Sequence, residues 1–184
     1  MSRLLKQLST KTGEAHSPRT RPAIIDPHSL FITTVSQAGH ITCTGKQAVK
    51  GSHSTLIAAA KGVQLLASWD MDAAYLKQEP QSPRWDYALA VQSDRECVYW
   101  VEVHPASSTG QVEEMLAKLK WLQAKLVAPQ FNALNQLTKA TQVRKIQAFR
   151  WLYTGDNRIR PGSQEARKLA RAGLNAPERM ITLQ

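Results

Sequence analysis

Two acidic residues, Asp86 and Glu102, lie on neighbouring apolar runs where they could share a metal ion. The first run is Trp85-Asp86-Tyr87-Ala88-Leu89-Ala90-Val91 and the second is Cys97-Val98-Tyr99-Trp100-Val101-Glu102-Val103-His104. Both are rich in β-branched and aromatic residues, and polar Gln92-Ser93-Asp94-Arg95-Glu96 separates them, which predicts a β-hairpin. Carboxylates on adjacent strands can converge on one divalent cation. A hard ion such as Mg²⁺ needs only one or two of them, because it keeps several waters. His104, two positions after Glu102, could orient a water or act as a general base.

The same residues also admit a purely structural reading. Asp86 could cap a turn at a strand end. By strand alternation Trp100, Glu102 and His104 share one face, and Val101 and Val103 the other. If the valine face is core, Glu102 is a solvated strand glutamate. The run is apolar except for Glu102 and His104, however, which argues for burial on both faces, as in a central strand. A buried Glu needs a partner, which a metal or His104 would supply.

The elements that must position these residues follow from periodicity and punctuation. Ser29–Val35 and His40–Thr44 are β-prone and joined by Ser36-Gln37-Ala38-Gly39, which predicts an N-terminal hairpin. Thr55–Ala67 carries Leu56, Ala59, Ala60, Val63, Leu66 and Ala67 at helical spacing, and Trp69–Gln78 continues it or forms a second short helix. Glu79-Pro80-Gln81-Ser82-Pro83 breaks the chain before Asp86. After His104, Ser108 and Gln111 match a capping box, and Gln111–Leu126 reads as a helix with Val112, Met115, Leu116, Leu119, Leu122 and Leu126 on one face. Its N-terminus could face a phosphate beside His104. Phe131–Lys139 holds a further helical turn or two, and Gln147–Tyr153 is the next strand. Gln164–Ala172 is a short basic helix stopped by Gly173, and Arg179–Leu183 reads as an edge strand.

Helix, strand, strand, helix, strand, with an acid on one strand and Glu-x-basic on the next, resembles the PD-(D/E)XK nuclease superfamily over about Ser54 to Tyr153. The resemblance implies an α/β fold: a mixed central sheet flanked by helices, with a restriction-endonuclease-like αββαβ core. To this the sequence adds the N-terminal hairpin and the basic C-terminal helix. It implies Mg²⁺-dependent cleavage of phosphodiester bonds, with Mn²⁺ as a substitute ion. Asp86 and Glu102 would be metal ligands, and the Val103 carbonyl a third. His104 stands where the family usually has lysine, whose permanent positive charge imidazole does not match at pH 7. Lys118 or Lys120 on the following helix could restore that charge. The departure keeps two alternatives open: a catalytically inactive nucleic-acid-binding module on the same fold, or a protein-interaction subunit of a larger complex.

Charge points to the same partner. The 184 residues carry a net +10 and are 42% hydrophobic, enough for a core. Residues 1–22 hold Arg3, Lys6, Lys11, Arg19 and Arg21 against Glu14, and residues 139–160 hold Lys139, Arg144, Lys145, Arg150, Arg158 and Arg160 against Asp156. Residues 1–27 read as a basic, flexible arm with a short helix around Leu4–Leu8, and 28–184 as one α/β domain. Arg144, Lys145, Arg150, Arg158, Arg160, Arg167, Lys168 and Arg171 are the candidate nucleic-acid contacts, with DNA favoured over RNA. A homodimer or a larger assembly is compatible with this reading. Ordinary solubility charge would explain a slightly smaller excess. Phe149, Trp151 and Tyr153 could stack exposed bases, but core packing suits at least two of them better.

Several classes are excluded. Cys43 and Cys97 form no Cys-x-x-Cys or Cys/His cluster, so zinc is not expected, and buried free thiols suit a reducing cytoplasm. Gly39 and Gly45-Lys46 miss the phosphate-loop spacing, and Gln47 stands where Ser or Thr is required. No Gly-x-Ser-x-Gly elbow is present. No apolar core follows Lys6 and no long apolar stretch exists, so neither a secretory signal nor a membrane span is expected.

Overall fold

The computed structural model of the chain describes residues 29–184. The expected basic arm over 1–27 lies outside them. The fold is mixed α/β, with a central, mostly antiparallel five-stranded sheet flanked by helices. The sheet contains β1 (Cys43–Thr44), β3 (Gln64–Asp70), β4 (Tyr87–Gln92), β5 (Glu96–Val103) and β6 (Phe149–Leu152), in the order β1-β3-β4-β5-β6. Only β5 and β6 run parallel. Parallel neighbours need a long crossover, here made by α4 (Gly110–Leu126) and α5 (Asn132–Val143). A separate parallel pair joins β2 (Ile57–Ala59) to β7 (Ile181–Leu183).

The continuous apolar runs of β4 and β5 are buried on both faces, as their lack of alternation requires. Ala88, Ala90, Val98 and Trp100 pack with Met115, Leu119 and Leu122 of α4 and with Leu134 of α5. On the other face Tyr87, Leu89, Val91, Tyr99 and Val101 meet Ile57, Ile181 and Leu183. β6 begins opposite Trp100, so the first residues of β5 lack that neighbour. Helix α5 compensates: Val98 N–H donates to Thr141 Oγ1 at 3.1 Å, and Trp100 Nε1 donates to Thr138 Oγ1 at 3.0 Å.

Two expected elements are replaced. The N-terminal hairpin does not form, because Leu30–Gln37 is helix α1 and only Cys43–Thr44 is strand. Ser29 caps the helix by accepting from Ile32 N–H. Glu96, at the start of β5, accepts from Leu30 N–H at 2.8 Å, Phe31 N–H at 3.0 Å and Ser29 Oγ at 2.8 Å. A carboxylate at a helix N-terminus meets both its free N–H groups and its positive dipole end. Phe31, Ile32 and Val35 bury the helix's inner face, and this tertiary support overrides their strand preference.

The expected helix over Thr55–Ala67 is instead β2, a turn and the first part of β3. Gly62 takes φ +82 in that turn, where Val63 N–H donates to Ala60 O. A left-handed glycine ends any helix there, and the helical spacing of small residues was coincidental. A single helical turn, α2 (Gly51–Ser54), precedes β2, Trp69 and Asp70 finish β3, and of Trp69–Gln78 only Met71–Tyr75 is helical (α3), capped by Asp70. The later elements fall close to expectation: α4, α5, β6, α6 (Gln164–Arg171) and β7, with Gly173 at φ +86 just past α6.

Candidate active site

The site is built at the open end of the β4–β5 hairpin. The pairing runs from Gln92↔Glu96 to Tyr87↔Val101, so one step further Asp86 comes opposite Glu102. There side chains take over from the backbone ladder. Glu102 Oε2 accepts from Asp86 N–H at 2.9 Å, and Asp86 Oδ2 accepts from Val103 N–H at 3.0 Å. The two acids thus tie each other's strands, both at the same end of the sheet.

Lys118 completes the group. It projects from α4, and its Nζ donates to Glu102 Oε1 at 2.6 Å and to Arg84 O at 2.9 Å. Glu102 is fully buried, and Lys118 is half-buried beside it. Burial, then the nearby Asp86 charge, pushes the Glu102 carboxyl up to about 8, although Lys118 acts in the opposite sense. Burial works against the Lys118 ammonium, but Glu102 and then Asp86 more than offset it and hold its pKa above the ordinary value. Burial also raises Asp86, against the Val103 N–H bond and Lys118. These shifts have one cause: two acids share one lysine in a poorly solvated corner.

More acid lies beside it. Asp70 ends β3, adjacent to the Asp86 segment, and Met71 N–H donates to Asp86 O at 2.8 Å. Asp72 is paired with Arg84 Nε at 2.9 Å. Sequence reasoning missed Asp70, Asp72 and Arg84 as members of the site. The available signal was Trp69-Asp70-Met71-Asp72 directly after an apolar run, which was absorbed into a helix.

The other expected residues separate clearly. His104 Nε2 sits 3.0 Å from Glu114 Oε2 on α4. A carboxylate only accepts, so Nε2 carries the hydrogen in this contact. Lys120 is exposed on α4. Arg158, Arg160, Arg167 and Arg171 are exposed. Arg158 lies near the site's end of the sheet, since its N–H donates to Ala106 O two residues beyond His104. Lys168 pairs with Glu113 in the first turn of α4. Arg150 is half-buried and held by both oxygens of Glu178. Arg144 bonds Asp94 and Cys97 at the opposite end of the hairpin, with exposed Lys145 beside it. The eight basic residues therefore do not form one surface. Phe149 and Trp151 are core, and only Tyr153 is partly exposed.

Asp86 and Glu102 present hard carboxylate oxygens, of which both on Glu102 and one on Asp86 already accept hydrogen bonds. Among the described residues no three His, Cys, Asp or Glu side chains gather around one point. A Mg²⁺ ion at these two acids would have to draw most of its coordination shell from water. No helix among the described residues is long and apolar enough to cross a membrane. No family model matches the chain, and comparison with curated proteins and with solved structures found no match.

Proposed function

We propose that the protein is a metal-dependent nuclease that cleaves phosphodiester bonds, DNA before RNA, on a restriction-endonuclease-like core. One observation carries this reading: Lys118, from the helix after the hairpin, sits on Glu102 beside Asp86. It supplies the positive charge that His104 cannot hold permanently at the Glu-x-basic position. Asp86 and Glu102, with the Val103 carbonyl, would hold Mg²⁺ or Mn²⁺. A bound divalent ion there supplies Lewis acidity to the scissile phosphate and a more acidic water. Lys118 then stabilises negative charge on the phosphate, and the Glu114-bound His104 stands at the rim to orient a water. Exposed Arg158 offers a phosphate contact near this end of the sheet, and exposed Arg160, Arg167 and Arg171 offer others along the chain that follows it.

A second reading has its own support. Both oxygens of Glu102 already accept hydrogen bonds. A nucleic-acid-binding module without cleavage would keep that arrangement permanently. Labelled DNA and RNA, single- and double-stranded, incubated with Mg²⁺ or Mn²⁺ separate the two. Product that disappears with chelator and in Lys118→Met supports the nuclease. Salt-sensitive binding with no product under any metal supports the module. Product that survives in Lys118→Met removes Lys118 from the chemistry.

A further inference from the structure

The end of the sheet at Asp86 and Glu102 has two sides, and the candidate chemistry uses one of them. Glu102 meets Lys118 of α4, and His104 meets Glu114 of the same helix. Along β4 the next residue, Tyr87, turns the other way. It pairs with Val101, and both lie in the cluster on the sheet face away from α4. The Tyr87 ring is buried there, and its hydroxyl lies 3.0 Å from Nδ1 of His53, with the two rings edge to face. His53 belongs to α2, the single helical turn before β2.

A buried tyrosine hydroxyl needs a partner, and many polar side chains could serve. An imidazole brings a second nitrogen. Among the described residues Tyr87 is the side chain bonded to His53, through Nδ1, so Nε2 is left unused. His53 is half-buried, with exposed Lys50, Gly51 and Ser52 before it and exposed Thr55 after. It also stands close to Asp86. Burial raises the Asp86 carboxyl, and the groups that oppose this are the Val103 N–H, Lys118 and His53. Lys118 and His53 thus act on Asp86 from opposite sides of the sheet. Burial raises the Tyr87 hydroxyl against the Lys50 N–H, and the Asp86, Asp70 and Glu102 charges add to the rise. The hydroxyl therefore stays protonated, and its oxygen can still accept from an imidazole N–H.

In-line displacement at phosphorus puts the attacking and leaving oxygens on opposite sides. With water oriented by His104 on the α4 side, the leaving oxygen falls on the side of His53. We propose that His53 is the general acid of the cleavage reaction, giving its Nε2 proton to the leaving oxygen. The proposal rests on the reading of the preceding subsection and adds a catalytic residue to it. The water oxygen forms the new bond to phosphorus and releases a proton to solvent. The bond to the leaving oxygen breaks, its electron pair stays on that oxygen, and the His53 proton neutralises it. Nδ1–H donates to Tyr87 throughout, which makes Tyr87 a positioning residue. The neutral imidazole then regains a proton from solvent, as a histidine readily does near neutral pH.

Cleavage of two forms of one labelled DNA by the full chain, with Mg²⁺ or Mn²⁺, tests this. One form has ordinary linkages, whose leaving alkoxide needs a proton. The other carries sulfur in place of whichever bridging oxygen the product ends show to be the leaving one, and thiolate departs without a proton. His53→Gln is expected to lose about 10²-fold in kcat on ordinary DNA and no more than about threefold on the sulfur form. Tyr87→Phe keeps the ring in the core and is expected to lose about tenfold on ordinary DNA alone. Equal losses of His53→Gln on both forms place the residue in folding or binding and overturn the proposal. Ordinary DNA cleaved by His53→Gln at the wild-type rate overturns it too. In both cases metal-dependent product from wild type leaves the nuclease reading standing. No product from wild type on either form, under either metal, sinks that reading and this proposal with it.

Discussion

The two ends of the β4–β5 hairpin each hold a glutamate on β5, and the two are used in opposite ways. At the tip, Glu96 accepts three hydrogen bonds from the start of α1, two of them from backbone N–H groups. It is an anion at a helix N-terminus and its charge is met. At the open end, Glu102 is wholly buried, next to a second carboxylate, and shares one lysine with it. Tertiary bonds satisfy both residues, yet only at the open end does negative charge exceed the nearby positive charge. A carboxylate matched to backbone donors organises the fold. Two carboxylates forced together in low dielectric form a poised site.

The largest effect that should separate the ends comes from Lys118→Met. It leaves buried Glu102 without its cation, beside half-buried Asp86, and removal of one partner from such a pair costs about 3–5 kcal/mol. The loss should appear in urea unfolding at pH 9 and shrink at pH 5, where Glu102 holds a proton. An equal loss at both pH values would place Lys118 among ordinary packing residues.

The next effect is the pH profile of the metal-free protein. Glu102 is raised from an ordinary 4.5 to about 8 in the folded state. The native protein therefore binds that proton more tightly than the unfolded chain does. This contribution to stability is complete below about pH 4.5 and is lost as pH rises towards 8. Asp86, also raised, acts in the same direction. Glu102→Gln should flatten this fall, measured as denaturation midpoint against pH, and an unchanged slope would contradict the assignment.

Smaller effects belong to the tip. Glu96→Gln weakens charge-assisted bonds to α1 and should cost about 1–2 kcal/mol in urea unfolding. Lys145 follows α5 in a left-handed conformation, φ +61, and is the only non-glycine residue with positive φ among the described residues. Lys145→Gly should stabilise the protein by about 1 kcal/mol in the same unfolding assay. A destabilised glycine variant would show that the lysine side chain matters more than the backbone.

The sequence made the open end readable because its signals are local. Two apolar runs broken by a polar pentapeptide specify the hairpin, and strand period then puts Asp86 opposite Glu102. Lys118 was legible too, since it sits three positions after Met115 and four before Leu122 on the buried side of α4. The tip was not legible, because what makes Leu30–Gln37 helical is Glu96, more than 60 residues away. Nor could sequence spacing see that Arg150 is spent on Glu178, Arg144 on Asp94 and Lys168 on Glu113. The helix expected over Thr55–Ala67 failed at Gly62, where a turn residue outweighed a helical pattern of small side chains.

The most direct test compares one substitution at each end in a single cleavage assay. Wild type, Asp86→Asn and Glu96→Gln, each shown by circular dichroism to be folded, are incubated with labelled DNA and Mn²⁺ or Mg²⁺. Product from wild type and Glu96→Gln, with a loss on the order of 10³-fold in Asp86→Asn, is the expected result. Equal product from wild type and Asp86→Asn, or none from wild type under either metal, would contradict a nuclease site at the open end of the hairpin.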